Sequence, residues 1–365
     1  MFLRQYTLCS FTIFLITLSP LLAKPHPFSN SQDAILDQPV EGITIHPYGF
    51  IKFDTFLDTR QGQDVHQDKA VAVTVDFPDT YKPDRFCRDI NQHPRFIMTA
   101  LRTQIGCLVK FPNLREDVKP LGIIEFDNLT MSNNLPFIRM RLAYVTFNNP
   151  NWMLLIGRFY HPLCLDILGS NTVSANDGVR ILALARDPQV RLVGKLGPIE
   201  IITAALSQQE FASPGPDGPT PRYLRNAIVP NLHLQVRYRS EKFICGAAID
   251  FKRLVPRLAT HKCIKVSESI DSLIGFAYLK IFGESSYISL QAYLAQNASD
   301  QTKISGYAVK TVDPETDFRT YANTHDFSIA TDMACRIREW IEPGLFAGYS
   351  KNLGSREPLY IRPKD

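Results

Sequence analysis

The stretch NLHLQVRYR, residues 231–239, alternates strictly. Asn231, His233, Gln235, Arg237 and Arg239 fall on one side, and Leu232, Leu234, Val236 and Tyr238 on the other. A period of two is that of a β-strand whose two faces meet different surroundings. The pattern recurs along the chain. In ALRTQIGCLVKF, Arg102, Gln104, Gly106 and Lys110 oppose Leu101, Thr103, Ile105, Cys107 and Val109. In FIRMRLAYV, Arg139, Arg141 and Ala143 oppose Ile138, Met140, Leu142 and Tyr144. LGIIEFD, KFICGAAIDFK, YISLQAYL and GLFAGYSKN read the same way. Turn clusters such as NNPN, SEK and GESS separate these runs, so neighbouring strands are antiparallel hairpins. Nothing between them is long and amphipathic enough for a crossover helix. Longer connections fall at 58–94, 160–178 and 208–229.

Alternation leaves two architectures open. In a soluble sandwich the apolar face packs on a core. In a membrane barrel it meets lipid, and the polar face lines a lumen. The first segment favours the barrel. It has Arg4, an apolar run from Tyr6 to Leu18, then Pro20 and Ala23. That is the pattern of a secretory signal peptide over residues 1–23. Residues 24–42 then read as a short leader and 43–365 as one β-domain. Mean hydropathy is −0.10, which excludes a helical membrane protein and leaves a barrel open, because alternation averages to neutral. Small residues on the polar face, Gly106, Gly246 and Ala248 among them, are expected to let a barrel wall curve or to leave room in a lumen.

The net charge of +4 is too small to argue for nucleic acid. Seven cysteines are present, and Cys9 lies in the signal segment. The other six are widely spaced with no CxxC pair, which argues against a zinc site. Cys107 and Cys245 fall on apolar strand faces, where a thiol behaves as a small hydrophobe, and Cys87 and Cys263 lie in loop-like segments where a bridge is open but is not the favoured reading. GxSxG, HExxH, P-loop and GxGxxG are all missing, so neither an enzyme nor a cofactor is expected. His161, beside Pro162, reads as a structural histidine at the start of a loop.

Several stretches resemble the DcaP-like family of Gram-negative outer-membrane porins. HPYGFIKFDTFLDTRQ (46–61) is similar to the family's opening strand, FIRMRLAYVTF to its Arg-rich early strand, and MLLIGRFYHPL to the strand entering the loop that turns toward the pore. NTVSANDGV, ARDPQVRL, YLRNAIVPNLHLQVRY and PGLFAGYSKNLGS follow in the family's order. The resemblance spans 44–356 and implies an all-β, antiparallel transmembrane barrel of about 16 strands, often trimeric, passing small solutes. Two departures stand out. The chain ends LYIRPKD where the family usually closes on a terminal aromatic strand. Only about 13 to 15 strand candidates are present, against the even number usual in bacteria. The barrel is therefore expected to lack its last strands and to be open.

The sharpest functional candidates are arginines on the polar face: Arg102, Arg139, Arg141, Arg158, Arg180, Arg191 and Arg237. Guanidinium groups in a confined lumen select carboxylates and phosphates. The competing role is bracing the wall by ion pairs to Glu125, Asp127, Glu200 and Asp250. The expectation is an outer-membrane porin for small anionic solutes, in contact with outer-membrane lipid and forming a homotrimer. The alternatives are a plugged or structural barrel and a secreted soluble ligand-binding β-protein.

Overall fold

The computed structural model describes residues 42–61, 80–100, 103–115, 117–132, 135–169, 181–216, 218–338 and 340–360. Residues 1–41, which the sequence reading assigned to an export signal and most of a leader, lie outside them.

Sixteen strand segments follow one another. The first four are β1 (Thr44–Phe50), β2 (Asp54–Asp58), β3 (Arg95–Thr99) and β4 (Gln104–Lys110). Six more follow: β5 (Lys119–Ser132), β6 (Leu135–Asn148), β7 (Trp152–Tyr160), β8 (Arg186–Leu196), β9 (Ile199–Leu206) and β10 (Asn231–Arg239). The last six are β11 (Phe243–Leu254), β12 (Ile270–Phe282), β13 (Ser286–Gln296), β14 (Tyr307–Val312), β15 (Arg319–Cys335) and β16 (Gly344–Ser355). Fourteen form one antiparallel sheet, in which β1 pairs β4 and each strand from β4 to β13 pairs the next. β15 then pairs β13, β14 and β16, while β2 and β3 make a separate hairpin. Among the described residues no ladder joins β1 to β16, so the sheet is open. Strands of 12 to 17 residues, such as β11, β12 and β15, exceed the roughly 9–11 needed to cross a bilayer.

The two faces are inverted relative to a soluble protein. Along β10, Asn231, His233 and Gln235 are buried, while Leu232, Leu234 and Val236 are 45–49% exposed. β12 and β13 keep the same phase. The short turns 149–151, 197–198, 240–242 and 283–285 lie at one end, and the long connections mostly at the other. One such connection carries the helix α1 (Arg222–Ala227), which the sequence pattern did not predict.

Two expectations are corrected. Leu142 and Tyr144 were assigned to the outer face but are buried with Leu108, Leu121, Ile123 and Leu155. The cause is a β-bulge: Glu125 pairs Leu142 and Phe126 pairs Met140, leaving Arg141 as the extra residue. An extra residue flips every later side chain. Likewise, the space beside Gly106 and Gly246 is filled. Tyr48 lies opposite Gly106 and Tyr278 opposite Gly246. A Cβ on either glycine would stand 2.6–2.7 Å from the tyrosine ring or hydroxyl. The six cysteines among the described residues are free, and Cys87, Cys263 and Cys335 are exposed.

Candidate functional site: the inner wall and its inward loops

Past β7 the chain turns onto the inner wall. Leu163, Leu168 and Ala183 pack on Phe276, Tyr278, Tyr293 and Ala295, with Leu165 and Ile167 alongside. The apolar residues of this loop meet an aromatic platform. Phe276 stacks on Tyr293 at 4.3 Å and on Tyr278 at 5.2 Å. Wall side chains cap the loop's free backbone carbonyls. Lys280 donates to Ile167 O at 2.7 Å, Gln291 to Leu168 O at 3.2 Å and Tyr293 to Leu163 O at 3.2 Å. Such capping is what lets irregular backbone lie inside a barrel.

A second inward segment, 297–306, separates β13 from β14. Its ends return to one residue: Thr324 N donates to Gly306 O, and Thr324 O accepts from Asn297 N. Asp300 is buried and accepts from Lys252 Nζ at 2.5 Å and from Gln208 Nε2 at 2.9 Å. Leu184 N donates to Gln301 O, and Lys303 Nζ to Ile181 O, so the two segments hold each other. The sequence NASDQTKIS gave no sign of this, because short polar residues read as a turn.

The predicted arginines divide by what they touch. Arg141 is buried, with Nε 2.6 Å from Glu125 Oε1, Nη1 3.0 Å from Asp127 Oδ2 and Nη2 2.8 Å from the Tyr160 hydroxyl. Arg139 grips Asp127 with two bonds of 2.8 and 2.9 Å and reaches Glu210 at 3.4 Å. Arg237 pairs with Glu200 at 3.1 Å and donates to the Tyr278 hydroxyl at 3.0 Å. Arg191 donates to Gln189 and Tyr160 O, its guanidinium 5.2 Å from the Phe159 ring centre. Arg158 differs. Its Nε donates to Arg141 O at 3.2 Å, and its two Nη groups meet no acceptor among the described residues. Arg102 and Arg180 lie outside the described residues. Sequence reading missed Arg186 and its partner Glu210, which bind through Nε at 2.8 Å and through Nη2. The predicted braces Glu125, Asp127 and Glu200 hold arginines, whereas Asp250 faces His161 and His233.

Together these features make a curved wall that is apolar outside and polar inside, with a loop laid against its inner face. Among solved structures, the chain superposes on the outer membrane channel DcaP of Acinetobacter baumannii with a TM-score of 0.63. Identity is 17%, and the match covers 88% of this chain and 82% of that one. The chain has the fold of an outer-membrane porin. Salmonella typhi OmpF, solved in complex with daunomycin, superposes with a TM-score of 0.52 at 10% identity, over 87% of this chain and 83% of that one. No family model and no curated protein sequence matches the chain. The porin fold accounts for the inverted faces.

Proposed function

We propose that the protein is a diffusion porin of the Gram-negative outer membrane, passing small anionic solutes without any chemical step. The observation that carries this reading is the inversion of the faces over successive strands. Ile156, Val190, Leu234, Ile249 and Leu290 are 42–50% exposed, while Gln104, Arg141, Gln235 and Asp250 are buried on the other side. Water on both faces would leave an apolar girdle solvated for no gain. Lipid outside and a polar lumen inside suit both faces. In this reading residues 1–23 are the export signal, 24–42 a leader and 43–365 the barrel, and the assembly is a homotrimer.

Anion preference rests on few groups. Arg139, Arg141 and Arg186 are bound to Asp127, Glu125 and Glu210, so these three arginines add little net charge to the early wall. Arg158, with two free Nη groups, is the residue that offers a passing carboxylate a bidentate partner. Reversal potentials in a salt gradient test this. Arg158→Glu is expected to move the potential toward cation preference with conductance retained, and an unchanged potential would rule out anion selection at this wall. A second reading, a plugged barrel, draws on the two segments packed on the inner wall. It predicts a folded, inserted protein that passes no current.

A further inference from the structure

We infer that His161, His233 and Asp250 form a binding site for one divalent transition-metal ion. The three come from three elements: His161 opens the inward loop, His233 lies on β10 and Asp250 on β11. All are buried, and their ligand atoms lie within 4.8 Å of one another. Asp250 Oδ2 is 3.4 Å from His161 Nε2 and 3.3 Å from His233 Nδ1. Bonds of 2.0–2.2 Å to a tetrahedral ion place neighbouring ligand atoms about 3.3–3.5 Å apart. Both separations are long for charge-assisted hydrogen bonds, which run about 2.7–2.9 Å. His161 Nε2 has no hydrogen-bond partner although its side chain is fully buried. A buried polar atom of this kind calls for a partner, and an ion among the three groups supplies one.

The surroundings fit the chemistry. His233 Nε2, the nitrogen facing away from the site, is 3.3 Å from Gln235 Oε1, and Gln235 is anchored to the Tyr278 hydroxyl at 2.9 Å. That is the outer partner a ligating histidine usually has. Lys252 opposes a cation, but it is itself bound to Asp300. Two imidazoles and one carboxylate select zinc-like ions over calcium or magnesium. The fourth position belongs to water or a solute. No sequence motif announces the site, because its ligands are 72 and 17 residues apart and meet only when the loop lies on the wall.

Binding has a local consequence. His161 Nδ1 now accepts from Leu163 N at 3.2 Å. Coordination through Nε2 moves the imidazole proton to Nδ1, so the Leu163 amide must release that bond. The ion therefore ties the loop to the wall while rearranging its first turn.

The test uses the full chain, refolded in detergent with and without Zn2+ and passed over a chelating column. Retention of one equivalent of zinc per chain is expected, with an X-ray absorption spectrum showing two imidazoles and a carboxylate. Amide exchange at Leu163 should change on loading. His161→Gln and His233→Gln should each lose the retained ion. If a variant fails to fold, the wild-type spectrum decides alone. Failure of the folded wild type to keep zinc overturns the site, as does a shell with fewer than two imidazoles or equal retention by both folded variants. The two imidazoles would then face Asp250 with no ion between them.

Discussion

Arg141 shows how one residue can be legible in kind and misread in consequence. Its spacing from Arg139 marked both as polar-face residues, and both carry ion pairs on that face. The bulge at Arg141 was not legible, since a single extra residue leaves no mark in an alternating string. It put Leu142 inside, where a strict period of two put it outside. The pairing also decides energetics. Arg141→Ala leaves the buried Glu125 without a guanidinium partner and Asp127 with Arg139, and should cost about 3–5 kcal/mol of stability. Arg253 and Asp271 form an exposed pair at 2.6 Å, and Arg253→Ala should leave stability nearly unchanged. Denaturant unfolding of both variants from the same lipid or detergent checks the contrast, and equal effects would contradict it. Leu234 is 47% exposed on the outer face. In lipid, Leu234→Arg should destabilise by about 2–4 kcal/mol near the midplane. A loss under 1 kcal/mol would mean that the side chain is solvated.

Strands were readable because each has two unlike faces, and the inward turn of the loop after β7 was expected only from the family resemblance, although Leu163, Leu165, Ile167 and Leu168 pack on the wall. The segment 297–306 was not readable, since its contacts are hydrogen bonds to distant residues that leave no periodicity. The same limit hid the link between the connections 255–269 and 313–318. There Arg257 binds Glu268 at 2.8 Å and Asp317 at 2.7 Å, and Asp317 also holds Arg319 at 3.0 Å. Burial tends to raise both carboxyls. The bonds from Arg257 and the Arg319 amide to Glu268, and from the His261 amide, Arg257 and Arg319 to Asp317, hold both below the usual carboxylate range. A depressed folded pKa stabilises above the unfolded pKa, about 4, and that stabilisation fades as pH falls through the lower, folded value. The two connections should therefore stay joined at pH 4 and separate only in stronger acid. Hydrogen exchange over 255–269 and 313–319 measures this, and opening already at pH 5 would contradict it. Asp317→Asn should open them at neutral pH.

At the scale of the molecule, one sequence property sets the architecture: alternation with the apolar side turned out. It folds the described strands into a sheet whose outer face has no protein partner and whose inner face is polar and partly covered. A sheet of that kind is stable where lipid meets one side and a polar interior the other. The two inward segments narrow that interior, and whether a continuous water path remains separates a channel from a plugged wall. Single-channel recording of the full chain in a planar bilayer measures that path directly. The account predicts discrete ohmic current steps on insertion, and folded, bilayer-inserted protein that gives no steps would contradict it.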